Sequence, residues 1–238
     1  MEQLPQISAD SQIFVLTGAG ISKESGIETF RDSDGLWNNH RIEDVASPEG
    51  FYRNPTLVYD FYNKRRKELN SGIKPNRAHI LLHELEKTYK IHIVTQNIDN
   101  LHEQAGSKKI LHMHGSLDKC FCMNCGAEYK FNFDLSTEFV CKKCNVKGKV
   151  RVDIVWFGEQ PKYLDKIYKY LDRTDVFLSI GTSNNVYPAA GFIDYLKRQK
   201  KKIDFYEFNI EKTSKSFLFT KSFIGPASET LKKLVDST

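Results

Sequence analysis

The sequence predicts an α/β fold built on a doubly wound parallel sheet, and three observations carry that expectation. Four short runs rich in Val, Ile, Phe and Leu, at residues 13–17, 91–95, 176–180 and 203–208, have the length and apolar continuity of buried strands. Helical periodicity fills intervals between them. The first run ends in Gly18-Ala19-Gly20-Ile21-Ser22, a strand-to-helix turn whose glycines let backbone approach a pyrophosphate.

Length and composition set the frame. A chain of 238 residues accommodates one large core with a small appendage, and a core of that size folds without disulfides. With 40% hydrophobic and 27% charged residues it is neither disordered nor fibrous. No apolar run approaches the roughly 18 residues of a membrane-spanning helix. The opening Met1-Glu2-Gln3-Leu4-Pro5 lacks the basic and apolar regions of a signal peptide, so a cytoplasmic location is expected. The net charge of +5 is modest and reads as a lysine-rich solvated surface. The densest basic run, Lys197-Arg198-Gln199-Lys200-Lys201-Lys202, reads as an exposed helix end, so no specific nucleic-acid partner is expected.

Taken in order, the strand at 13–17 leads into the glycine turn. The next glycine, Gly26, follows Gly20 by six residues instead of three, so this is not the hydride-transfer fingerprint. Residues 32–72 read as helical and loop-like, with no strand run. A helix is expected over 76–89, with Asn76 as its N-cap and Ile80, Leu81, Leu82 and Leu85 as its buried stripe. The strand at 91–95 ends in Gln96-Asn97-Ile98-Asp99, that at 176–180 in Gly181-Thr182-Ser183, and that at 203–208 in Asn209. A last helix over 228–235 would bury Leu231, Leu234 and Val235. In a sheet of this kind the ligand sits at the carboxyl ends of the strands, where these polar segments lie.

The cysteines interrupt the alternation. Cys122-x2-Cys125 and Cys141-x2-Cys144 are separated by 15 residues, the spacing of a zinc ribbon in which two knuckles supply four thiolates. Disulfides or redox pairs are the alternatives, and a reducing compartment argues against the first. Four thiolates leave no open position, so the zinc is structural. Cys120 is left over, as a small hydrophobe or a substitute ligand.

Taken together, these segments closely resemble the sirtuins, the NAD-dependent protein-lysine deacylases. The resemblance runs through Gly18-Ala19-Gly20-Ile21-Ser22, Gly26-Ile27-Glu28-Thr29-Phe30-Arg31-Asp32, Thr95-Gln96-Asn97-Ile98-Asp99 and His114-Gly115. It continues through the paired cysteine knuckles, Phe157-Gly158-Glu159, Gly181-Thr182-Ser183 and Asn209-Ile210-Glu211, in the family's order. It implies a Rossmann-like domain (residues 1–31, 73–115 and 151–238) and a smaller inserted domain made of a helical module (32–72) and a zinc-ribbon module (116–150). NAD would enter the cleft between them from one side and an acyl-lysine peptide from the other.

The resemblance also implies roles. Gly18, Ala19 and Gly20 would cradle the pyrophosphate, Phe30 would cover the cofactor on a lid loop, and Arg31 would place charge near the phosphates. Asp99 would hold the nicotinamide carboxamide, Gln96 and Asn97 would arrange the ribose side, and Ile98 would belong to the same cofactor site. Gly181, Thr182 and Ser183, Asn209 and Ala227 would complete the adenosine side. In the family the acyl oxygen attacks the nicotinamide ribose, nicotinamide leaves, and a base then activates a ribose hydroxyl. The products are O-acyl-ADP-ribose and free lysine. His114 matches that base and Asn97 assists; imidazole suits the task because it titrates near working pH. His112, two residues away on a strand, would face the same side, and only the following Gly115 and the family match separate the two. His79, His83, His92 and His102 are read as structural.

On the substrate side, Val155, Phe157, Gly158 and Glu159 resemble the segment that pairs with the peptide backbone, and a second edge is expected at 184–186. Tyr62 and Arg65 match the Tyr-x-x-Arg pair of the class handling acidic acyl chains such as succinyl and malonyl, and Ala46 matches its small pocket residue. Positions three apart share a helix face, so one phenol and one guanidinium can grip the same carboxylate. Arg66, about 100° further round, is expected to be dispensable. The expected activity is therefore removal of acidic acyl and acetyl groups from protein lysines. Protein ADP-ribosylation is the alternative enzyme, and a nucleic-acid-binding nucleotide and zinc module is the non-catalytic one.

Overall fold

Five consecutive buried residues, Ile13 to Thr17, make β1 (Gln12–Thr17) the middle of a six-stranded sheet in the computed structural model. The structure describes residues 7–8, 10–28, 36–199 and 201–235; Phe30 and Arg31 lie outside the described residues. On one side of β1 come β4 (Lys90–Thr95) and β5 (Ile110–His112); on the other come β9 (Val176–Ile180), β10 (Asp204–Asn209) and β11 (Lys221–Ile224). Every pairing in this sheet is parallel. Counted along the chain, the strands lie in the order 3-2-1-4-5-6, the dinucleotide-binding order, with its switch point between β1 and β9.

Alternation along β1 explains how both faces are covered. Ile13 and Val15 join Leu81 and Leu82 of α5 (Arg77–Leu85) and Leu231 and Leu234 of α9 (Ala227–Val235) on one face. Phe14 and Leu16 join Ile167 of α7 (Leu164–Leu171) and Phe192 of α8 (Phe192–Arg198) on the other. Asn76 is the cap expected of it: its Oδ1 accepts from Ala78 N at 2.9 Å, and its Nδ2 donates to Ile21 O at 2.7 Å. The helix ends at Leu85, short of residue 89, and Ile80 is only half-buried. Edge strand β11 carries no strand signal in the sequence, because its four residues include one buried position and no apolar run.

The smaller part is built around α4 (Pro55–Asn70), capped by Asn54, whose Oδ1 accepts from Leu57 N at 3.1 Å. Before it come α2 (Ile42–Val45), α3 (Pro48–Arg53) and a hairpin of β2 (Leu36–Trp37) and β3 (His40–Arg41). The hairpin corrects the expectation that residues 32–72 hold no strand. Asn38 and Asn39, at φ of 48° and 64°, supply the two left-handed residues of a tight turn, which asparagine tolerates. A three-stranded antiparallel sheet, β6 (Gly115–Cys122), β7 (Glu128–Lys130) and β8 (Val150–Ile154), carries the cysteines. The seams expected at 115/116 and 150/151 thus fall inside β6 and β8.

Helix α4 is fastened to this module by buried polar contacts. Tyr59 Oη donates to Val150 O at 2.8 Å, and Asn63 both donates to Leu135 O at 2.8 Å and accepts from Leu135 N at 3.0 Å. Arg66, expected to be dispensable, is buried, pairs with Asp134 at 2.8 Å and lies over the Phe131 ring. It is a structural tie. Among the described residues no helix is long and apolar enough to cross a membrane.

Candidate active site

The carboxyl ends of β1, β4, β9 and β10 open into a cleft of about 1330 Å³ that also reaches α4 and the segment after β8. At its floor the loops after β1 and β9 touch backbone to backbone. Gly20 N donates to Gly181 O at 2.8 Å, and a Cβ on Gly20 would lie 2.7 Å from Gly181 Cα. Glycine is required there by loop contact as much as by any ligand. The same absence of side chains leaves the rim of the cleft as bare backbone, which is what a pyrophosphate needs, so the residues present fit a dinucleotide. The helix that follows, α1 (Gly20–Lys23), is a single turn.

A chain of polar side chains ties the strand ends together. Asn97 Nδ2 donates to Gly18 O at 3.2 Å and to Ser22 Oγ at 3.1 Å; Ser22 Oγ donates onward to Asp99 Oδ2 at 2.9 Å. Leu101 N, opening α6 (Leu101–Gln104), donates to the other oxygen of Asp99 at 3.1 Å. Burial nevertheless pushes the Asp99 carboxyl above its ordinary range, against both of those hydrogen bonds. Gln96 Nε2 donates to Thr182 Oγ1 at 3.0 Å, and Asn209 Nδ2 donates to Thr182 O at 2.9 Å. Ile98, Ser183 and Ala227 border the same cleft.

The two neighbouring histidines are resolved by their partners. His112 presents Nδ1 to Asn97 O at 3.0 Å and Nε2 to Glu103 Oε1 at 2.7 Å, two acceptors that call for a proton on each nitrogen. Burial lowers its pKa, but the Glu103 hydrogen bond and charge outweigh this and hold it above the ordinary value. His114 presents Nδ1 to Gln96 O at 3.0 Å, so Nδ1 carries the proton and Nε2 of the neutral ring keeps its lone pair. Burial lowers its pKa, the Gln96 contact opposing, so the ring stays neutral. His114 borders the cleft. Gly115 behind it, at φ +82°, admits no side chain, because a Cβ would lie 1.8 Å from Asp153 O.

The segment after β8 crosses the cleft. Val155 N donates to His114 O at 2.9 Å and Phe157 N to Ala46 O at 3.0 Å, joining this segment to the histidine and to the small module. Phe157 and Gly158 are exposed. Glu159 also borders the cleft, and its carboxylate accepts from Arg151 and from Trp156 N at 2.9 Å. The expected second edge is only partly present. Asn184, at φ 57°, is buried and turns its amide to Ser179 at 3.1 Å and Glu207 at 3.1 Å, while Asn185 and Val186 border the cleft.

Ala46, Tyr62 and Arg65 border the cleft together at the α4 side. Trp156 Nε1 donates to Tyr62 Oη at 3.0 Å, and burial keeps that phenol protonated well beyond its usual range, so its own O–H remains a donor. Trp156 lies within the segment expected to pair with the peptide, and Arg151 carries no role legible in the sequence. Arg151 is buried, lies 3.7 Å over the Trp156 ring and donates to Ile154 O at 3.0 Å, holding the indole in place. Ser22, the link between Asn97 and Asp99, was visible only as the end of the glycine motif.

At the far side of β6, the sulfurs of Cys122 and Cys144 lie 3.7 Å apart, as do those of Cys125 and Cys141, and all four fall within 4.8 Å of one another. Four thiolates about 2.3 Å from a tetrahedral ion sit about 3.8 Å apart, so the set fits zinc. Tyr129 Oη donates to Cys141 Sγ at 3.1 Å and draws that thiol down to about 6, toward the thiolate a metal requires. Cys120 lies outside this cluster; it is buried in the core, opposite Val152 of β8.

Comparison with known proteins agrees with this geometry. Residues 18–188 match the family model described as the Sir2 family. The chain is 52% identical over 226 residues to an NAD-dependent protein deacylase of Bdellovibrio bacteriovorus, covering 94% of each chain. Among solved structures, a mutant Sir2 homologue in complex with ADP-ribose superposes with a TM-score of 0.88 at 35% identity, over 96% of this chain and 92% of that one. A Sir2 bound to acetylated peptide gives a TM-score of 0.79 at 29% identity, over 94% and 92%. The family model spans the glycine turn, His114 and the cysteine module, the relative and the shared fold span nearly the whole chain, and the chain belongs to the Sir2 family, the sirtuins.

Proposed function

We propose that this chain is an NAD-dependent protein-lysine deacylase that removes acidic acyl groups, succinyl and malonyl among them, as well as acetyl, giving nicotinamide, O-acyl-ADP-ribose and free lysine. Family membership and the similarity to an NAD-dependent protein deacylase support the reaction. The observation that carries the acyl preference is that Tyr62 and Arg65 border the same cleft as His114.

The residues divide the work. Gly18, Ala19, Gly20, Gly181, Thr182 and Ser183 offer backbone and hydroxyl groups to the phosphates, and Asn209 and Ala227 flank the adenosine. Asp99 accepts from the nicotinamide carboxamide, and Asn97, fixed by Gly18 O and Ser22, orients the ribose beside it. NAD supplies an activated ribose carbon when bound. His114 takes the proton from a ribose hydroxyl on Nε2, the nitrogen its Gln96 contact leaves unprotonated. Val155, Phe157 and Gly158 hold the peptide by backbone pairing, and Glu159 acts through Arg151 and Trp156 to shape that segment. The four cysteines hold one structural zinc remote from the chemistry.

The test pairs two substrates. Incubated with NAD, a succinyl-lysine and an acetyl-lysine peptide should each lose the acyl mass; gain of an ADP-ribose mass would indicate protein ADP-ribosylation instead. Hydrogen bonds to charged groups contribute about 1.5–3 kcal/mol each. Arg65→Met should therefore lower desuccinylation kcat/KM by roughly 10- to 150-fold and deacetylation far less. Equal losses on both would make Arg65 a structural arginine.

A further inference from the structure

The guanidinium of Arg65 already has partners. Its Nη1 donates to Asn38 Oδ1, and its Nη2 pairs with Glu68 Oε2 at 2.8 Å, one turn along α4. Its Nε–H, shielded from solvent, has no partner among the described residues. Arg65, Glu68 and Asn38 all border the cleft, and the Glu68 side chain is 43% exposed against 17% for Arg65. A guanidinium carries five N–H donors in one plane, and a carboxylate takes two of them side by side. Glu68 occupies one of these five donors.

We propose that Glu68 is a specificity-determining residue: a resident carboxylate that competes with the acidic acyl chain for Arg65 and so lowers the preference for succinyl- over acetyl-lysine. The inference rests on the acidic-acyl reading of Tyr62 and Arg65. With an acetyl group in the pocket, Arg65 keeps Glu68 and its charge stays paired, which avoids burying a lone cation. With a succinyl group, a second carboxylate approaches the same guanidinium, and the two anions repel. Because Glu68 is half-exposed, it yields by turning into water, so the acidic substrate is weakened and not excluded. Asn38 differs in kind. Its amide oxygen is neutral, and its own N–H₂ donates to Glu28, so it orients the fork of Arg65 without competing charge.

Kinetics of the wild type, Glu68→Gln, Arg65→Met and the double variant on matched succinyl- and acetyl-peptides test this. A half-exposed ion pair is worth about a 1.5- to 5-fold factor, and the like-charge repulsion adds a comparable one. Glu68→Gln should raise the succinyl-to-acetyl ratio of kcat/KM more than twofold, up to about 25-fold. Most of the gain should fall in KM for the succinyl peptide, since a carboxylate remote from the reacting carbonyl is held alike in ground and transition states. In the Arg65→Met background the gain should vanish. If Arg65→Met collapses the ratio while Glu68→Gln leaves it within about twofold or lowers it, Glu68 is only a helix-surface partner; the inference is overturned and the acidic-acyl reading stands. If Arg65→Met leaves the ratio unmoved, that reading fails and the inference falls with it.

Discussion

His112 and His114 sit two residues apart with opposite electrostatics, and the difference lies in what each nitrogen touches. His112 is bracketed by Asn97 O and Glu103 and favours the charged form; among the described residues His114 has one carbonyl partner, on Nδ1, and none on Nε2. Only the second can accept a proton. His114→Ala should therefore lower deacylation by about 10²–10⁴-fold while NAD binding, followed by calorimetry, changes little. Burial lowers the His114 pKa, so the base is already neutral below the ordinary value of 6.5. The rise of kcat/KM with pH should accordingly be centred below 6.5, and a midpoint above it would point to another group. In the sequence only the following Gly115 and the family resemblance favour His114; the electrostatic reason lies in partners that come from Gln96, Asn97 and Glu103 on other elements.

At the scale of elements, the small module has two fastenings, the four-cysteine site that fits zinc and helix α4. Replacing Cys141 by Ser, or chelating the metal, should unfold the sheet of β6, β7 and β8 before it affects any chemical step. Zinc contributes on the order of 10 kcal/mol to isolated ribbons, and less where a larger core supports the fold. Metal analysis should return one zinc per chain, and a fully active metal-free protein would contradict the assignment. Arg66 is the second fastening. Arg66→Met removes a buried cation from Asp134, which keeps Lys67 at 2.5 Å, and should cost about 1–3 kcal/mol, read as a lower thermal midpoint. The neighbouring Arg65 and Arg66 thus separate cleanly, one bordering the cleft and one tying two modules. Sequence spacing placed them on different faces of α4; it could not say what each face meets.

For the whole molecule, the buried histidines behind the cleft set its acid stability. His79 is fully buried with neither ring nitrogen partnered among the described residues, and it packs edge-on against His102 at 4.9 Å. Burial lowers the His79 pKa to about 4 and that of His102 well below its ordinary value. The unfolded chain takes up protons near pH 6.5 that folded His79 refuses until about pH 4. Stability is therefore complete above about 6.5 and falls as the pH drops toward 4, by about 3 kcal/mol for His79 alone. Thermal melts across that range should show the loss, and His79→Leu should flatten it; a wild-type midpoint independent of pH would refute the account.

What the sequence determined by itself is what local chemistry encodes. Apolar runs marked four central strands, glycine spacing marked the turn, Asn76 marked a cap, and two cysteine pairs marked a tetrahedral site. Each signal lies within a few residues, where periodicity and backbone sterics act. The tertiary structure alone decided the short edge strand β11, the left-handed Asn38-Asn39 turn, the inward Asn184 and the engaged carboxylates of Glu159 and Glu68. It also decided which nitrogen of His114 is free, and that Trp156 steadies Tyr62 from 94 positions away. Hydrogen bonds, burial and charge pairing depend on distance in space, and the fold sets that distance by joining segments that the chain keeps far apart.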